Sequence, residues 1–154
     1  MIQRIQTLYL LAVAAMMITA IFTPSANFMA GAEEYKLFAF ALKGAEMSHS
    51  TIYMGIIIAL AAIVPIVTIF SYKKRLLQIR LCAVEIVLLL GSLIFMGIYY
   101  YLSNRIFSEL GLQVQITSIR IAVIFPIVSL ILTYMASRAI FKDEMLVRSL
   151  DRIR

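Results

Sequence analysis

Few side chains in this sequence can do chemistry, and their spacing brings none of them into a familiar catalytic set. Glu85 is the one acid inside a long apolar run, which Arg80 precedes and Tyr99, Tyr100 and Tyr101 close. A carboxyl so placed serves either as half of an ion pair or as a group that binds a proton or a cation. Cys82 lies just before it. A nucleophilic thiol needs a base and an orienting acid within reach. The one imidazole, His49, stands instead at the far end of a different apolar run, between Ser48 and Ser50. Glu33 and Glu34 are adjacent, and neighbours on a strand point to opposite faces, which makes them a poor pair for acid–base work.

The same inventory excludes further classes. One cysteine forms no internal disulfide and no Cys-x-x-Cys site, and its plain role is a small apolar packing residue. One cysteine with one histidine makes no zinc cluster. The six glycines are scattered and form no phosphate-cradling loop. No catalytic residue, cofactor or metal is expected, and the chain is expected not to be an enzyme.

The elements that must position these residues are strongly apolar. Of the 154 residues, 63% are hydrophobic and 14% charged, and the mean hydropathy is +0.98. Soluble domains run at about 45–50% apolar and about 25% charged. A chain of this length cannot bury such an excess within itself, so lipid is the expected solvent for it. Four apolar runs, at about 5–23, 51–72, 81–102 and 121–140, are each long enough to cross a bilayer. A cleaved secretory signal is the rival for the first, but Arg4 is its single early cation and Pro24 sits poorly for cleavage after Ala26. Pro65 and Pro126 lie inside the second and fourth runs, where a kink is tolerated if neighbouring helices satisfy the freed carbonyl. The expected fold is an all-α membrane protein, a single four-helix transmembrane bundle spanning 1–154.

Orientation follows from the cations. Arg4, Lys73, Lys74, Arg75, Arg80, Arg138, Lys142, Arg148, Arg152 and Arg154 gather on one side, and Lys36, Lys43, Arg105 and Arg120 on the other. The richer side is expected in the cytoplasm, together with both termini. The net charge of +6 flanks apolar runs, which points to anionic headgroups and not to nucleic acid. Tyr53 and Tyr99–Tyr101 mark the outer interface, Tyr9 and Tyr72 the inner one.

The outer segments predict a small extracytoplasmic β cap. Tyr35–Leu42 is rich in aromatics and 113–117 alternates polar and apolar, so a strand from each loop is expected to pair. A short interfacial helix is the alternative for Tyr35–Leu42. Ser48 is a candidate N-cap for the second helix. Over 142–154, Leu146, Leu150 and Ile153 fall on one helical face, with acids early and Arg148, Arg152 and Arg154 late. This predicts an amphipathic cytoplasmic helix, either continuing the fourth helix, lying on lipid, or docking a partner. Gly55, Ala59 and Ala62 form a small-residue face suited to close helix approach, within the bundle or in a homo-oligomer.

For Glu85 two roles stay open. One is a structural ion pair with Arg138 or Arg80, and the other is a binding site of a transporter or channel subunit. A third role, an enzyme acting on lipid, needs Glu, His, Arg and Tyr to converge at one interface.

The opening Met1-Ile2-Gln3-Arg4-Ile5-Gln6-Thr7 and the closing Phe141-Lys142-Asp143-Glu144 and Val147–Arg154 resemble a family of small Bacteroidota membrane proteins, domain of unknown function 4293. The resemblance covers essentially the whole chain. It implies a bacterial inner membrane and no established activity. The expected role is a non-enzymatic scaffold or accessory subunit with membrane-protein partners.

Overall fold

The computed structural model describes residues 2–30, 33–44, 48–72, 74–109 and 114–151. Four helices run α1 Ile2–Phe22, α2 Ile52–Phe70, α3 Arg75–Glu109 and α4 Ile124–Asp151, the last entered through a 3-10 turn at Ile121–Val123. Between α1 and α2 lie β1 Ala26–Ala30, β2 Glu33–Leu37, β3 Ala41–Lys43 and β4 Ser48–Ser50; β5 Val114–Ile119 precedes α4. Each helix is long and apolar enough to cross a membrane.

The helices pack as a ring in which α1 touches α2 and α4, and α3 touches α2 and α4. One spacing explains the ring. Gln6, Leu10, Val13, Met17 and Ala20 are buried on α1; Met54, Ile58, Ala61, Pro65 and Thr68 on α2. Gln78, Cys82, Glu85, Leu89, Ser92 and Met96 are buried on α3; Pro126, Ser129, Thr133, Ala136 and Ile140 on α4. Steps of four and three alternate along every helix. That is the seam of knobs-into-holes packing, which keeps one stripe facing its neighbours along the full length. The opposite faces carry large aliphatic side chains in the open, among them Leu11, Ile63, Val87 and Ile131.

The sheet is larger than expected. Its order is β4-β3-β2-β1-β5, antiparallel throughout, so both loops contribute. Tyr35–Leu42 is not one strand: it breaks into β2 and β3 at a turn closed by Phe38 N–H donating to Ala41 O at 2.8 Å. The second expected strand is β5, with residue 113 outside the described residues; it pairs with β1 and not with the Tyr35–Leu42 segment, because β1 lies between them in the sheet. On the inward face Phe28 pairs with Tyr35 across β1 and β2. Phe107 of α3 lies 5.6 Å from the Phe28 ring and 4.9 Å from the Tyr35 ring, centroid to centroid. This aromatic cluster seats the sheet on the end of the bundle.

Other boundaries also shift. α3 is 35 residues long and begins at Arg75, well before the expected 81, because Gln78 and Arg80 are good helix formers and Lys74 O accepts from Gln78 N at 3.1 Å. The tail is one helix with the fourth run through Asp151 and not a separate element; residues 152–154 lie outside the described residues. Ser48 belongs to β4. Thr51 precedes α2 without a side-chain cap bond, its hydroxyl lying 3.1 Å from the carbonyl oxygens of Phe38 and Ala39. Gly55 meets the sheet: a Cβ there would enter the ring of Phe40.

Phe107→Ala is expected to lower stability by about 3–5 kcal/mol through the void left under the sheet. Gly44→Ala, whose methyl would collide with the buried Tyr35 ring, is expected to cost about 1–3 kcal/mol. Thermal unfolding of the purified variants checks both.

Candidate functional site

Glu85 lies on the α3 seam, 1% exposed, and neither of its carboxylate oxygens has a hydrogen-bond partner. The expected ion pair with Arg138 or Arg80 is not formed. Helix geometry explains why: five residues from Arg80 to Glu85 amount to a rotation of about 140°, so Arg80 faces outward when Glu85 faces in. Arg138 follows the seam residue Ala136 by two positions and is likewise turned away. Both arginines are exposed.

Two further side chains share this condition. Ser129 and Thr133 of α4 are 0% exposed, and their hydroxyls have no hydrogen-bond partner. The other buried hydroxyls on helices behave differently. Thr68 donates to Val64 O at 2.7 Å, Ser92 to Leu89 O at 2.7 Å and Ser103 to Tyr99 O at 2.7 Å. Such back-bonding to the preceding turn is the ordinary way a helix satisfies a hydroxyl. Ser129 and Thr133 leave it unused, although each has a preceding carbonyl within the same helix.

The register of α3 against α4 sets the level of these groups. Cys82 packs in one cluster with Leu10, Ala136 and Ile140. One turn onward along α3 is Glu85, and one turn onward along the antiparallel α4 is Thr133. The three unpartnered groups therefore occupy facing seams of two adjacent helices at neighbouring levels.

At the bundle end away from the sheet, polar seam residues are fully engaged. Gln6 Nε2 donates to Asp143 Oδ2 at 2.7 Å, and Gln78 Nε2 to Thr68 O at 2.9 Å. Arg75 donates to the backbone oxygen of Asp143 at 3.3 Å. This cluster ties α1, α2, α3 and α4 together. Its signal in the sequence is two uncharged glutamines, Gln6 and Gln78, in phase with the apolar seam.

The remaining candidates separate. His49 is exposed on the edge strand β4 opposite Leu42, and Cys82 is buried at 0% exposure, so the structure keeps them apart. Glu34 accepts from Asn27 Nδ2 at 2.5 Å and pairs with Lys36 at 3.3 Å, a surface arrangement within the sheet. Among the described residues no group of three His, Cys, Asp or Glu could hold a metal ion. The Arg148 side chain, Arg152 and Arg154 lie outside the described residues. An apolar recess of about 170 Å³ opens where the sheet meets α3, lined by Ala26, Leu93, Met96, Tyr100 and Val123 among others.

Since Glu85 has no bond to lose, Glu85→Leu is expected to raise thermal stability by about 1–3 kcal/mol in a buffer free of small inorganic cations. Arg138→Ala should stay within about 0.5 kcal/mol of the parent. A large loss in Arg138→Ala would restore the ion pair.

Comparison with known proteins gives one family. The chain matches the model of Domain of unknown function (DUF4293) over residues 2–153, and it belongs to that family. No curated protein matches it.

Proposed function

We propose that this member of the DUF4293 family is a polytopic protein of a bacterial inner membrane, with the sheet outside and both helix termini in the cytoplasm. The observation that carries this reading is the inverted polarity of the bundle. Glu85, Ser92, Ser129 and Thr133 are inside, while Leu11, Ile63, Val87 and Ile131 face outward at 61%, 53%, 68% and 55% exposure. In water that arrangement wastes apolar surface, whereas in hydrocarbon it is the favourable one. The belt has the right height: the 19 residues of α2 rise about 28 Å, close to the roughly 30 Å of a hydrocarbon core, with exposed Tyr53 at one end and exposed Tyr72 in the turn past the other. Arg80 and Arg138 on the outer faces would reach the inner headgroups by snorkelling.

Within the membrane, the protein acts as a non-enzymatic scaffold or accessory subunit. The sheet presents two open edges, β4 and β5, at one face. At the other face α4 carries exposed Phe141, Met145 and Leu146 past the Gln6–Asp143 contact, a surface for anionic lipid or a membrane-protein partner, with a second copy of the chain included. A second reading, a small transporter or channel subunit, is favoured by one observation, the unpartnered Glu85.

Cysteine labelling tests the topology. Cys82 is fully buried and gives little background. Arg120→Cys is expected to react with a membrane-impermeant maleimide in cells with a permeabilised outer envelope, and Lys74→Cys only after the inner membrane is opened. The reverse pattern would overturn the orientation. Repeated mild-detergent purification with no stoichiometric partner and no self-association would count against the scaffold role, and unchanged proton-coupled flux in Glu85→Gln proteoliposomes against the transporter.

A further inference from the structure

We propose that Glu85, Ser129 and Thr133 form a binding site for one desolvated sodium-type cation between α3 and α4. The inference deepens the transport reading by naming the ion, but it requires binding alone.

Three unpartnered, fully buried oxygen-bearing groups on facing seams carry the argument. Ser129 and Thr133 are both 0% exposed and unpartnered, and Glu85 is 1% exposed with both oxygens free. With Cys82 clustered with Ala136 and Ile140, Glu85 and Thr133, each one turn onward, come to neighbouring levels, and Ser129 follows about 6 Å further along α4. Both hydroxyls forgo the back-bond to the preceding turn, which leaves their lone pairs to offer. Among the described residues no donor takes them: Arg80 and Arg138 face outward, and the α1 seam offers Val13 and Met17.

Charge and hardness select the ligand. A carboxylate in such a place needs a positive partner, and the described residues supply none. One carboxylate with two neutral hydroxyls is neutralised by a single positive charge. A divalent ion would leave a net charge buried among aliphatic side chains. Oxygen donors suit a hard cation and exclude soft metals. Cys82, next along the seam, is the one other titratable side chain buried at this level, and as a thiol it is no ligand for a hard ion.

The test is thermal unfolding of the full purified chain in detergent, titrating sodium chloride against choline chloride at fixed ionic strength and pH. Sodium is expected to raise the midpoint saturably, by roughly 5 °C or more, since a ligand of the folded state alone stabilises it by mass action. The double variant S129A/T133A should need at least about tenfold more sodium for the same shift. Glu85→Gln should lose the shift while unfolding in choline no earlier than the parent, which separates lost binding from misfolding. Identical midpoints in sodium and choline overturn the proposal and leave Glu85 holding a proton. An undiminished sodium shift in Glu85→Gln overturns it too. Flux in proteoliposomes tells the two ideas apart: a sodium-dependent midpoint without sodium flux removes the transporter and keeps the site. Proton flux abolished by Glu85→Gln, without a sodium effect, does the opposite.

Discussion

Everything in this molecule depends on which face of each helix is turned inward. Along all four helices one stripe in steps of three and four is buried, and it holds the polar residues Gln6, Thr68, Glu85 and Thr133 among aliphatic ones such as Leu10, Ile58, Leu89 and Ile140, while the outward faces carry large aliphatic side chains. Each helix is long and apolar enough to cross a membrane, and in hydrocarbon hiding leucine would gain little, because lipid tails are as apolar as the side chain. What holds them is close packing of alanine-sized residues, such as Ala61 and Ala136, and hydrogen bonds made where water is absent. The contacts Gln6–Asp143 and Gln78–Thr68 are of this second kind. They lie at one end, the aromatic cluster of Phe28, Tyr35 and Phe107 at the other, and the seam runs between.

The sheet is a closure for the bundle. β1 follows α1 and pairs with β5, which leads into α4, so two helices far apart in sequence are joined by a backbone ladder. Ser25 reinforces the joint: its N–H donates to Leu37 O at 2.8 Å, and its own carbonyl accepts from Arg120 N at 2.9 Å. The β1–β5 register shifts between Met29 and Ala30, an irregularity at the end of β1 remote from α1. Four of the five strands come from one loop, so the second loop has only to supply an edge.

Much of this was legible before any coordinates. Four uninterrupted apolar runs identify the helices because no other local structure of that length satisfies its own backbone in a dry environment. The strands were half legible. Aromatics and alternation marked Tyr35–Leu42 and the segment around Val114, but the break at Phe38–Phe40 depends on Thr51 reaching back to two carbonyls, a contact no local pattern announces. Glu85 stood out at once; its isolation did not. Counting residues from Arg80 gives a rotation that turns the two side chains apart, yet that argument needs to know which face is interior. The face was in fact encoded by the steps of three and four through Gln78, Cys82, Glu85 and Leu89. It was hidden because in an all-apolar helix the seam differs from the exterior by its few polar residues and not by its apolar ones.

α3 differs mechanically from its neighbours. α2 contains Pro65 in its interior, and with it a missing rung in the backbone ladder, whereas Pro126, expected inside the fourth helix, falls in the first turn of α4, where its absent N–H costs no bond. α3 has no proline over its 35 residues and spans about 52 Å. Phe107, beneath the sheet, and Glu85, deep in the bundle, sit on the same unbroken rod. The 22 residues between them set their separation along the axis at about 33 Å, so any shift of this helix as a rigid body moves the seat of the sheet and the carboxyl together.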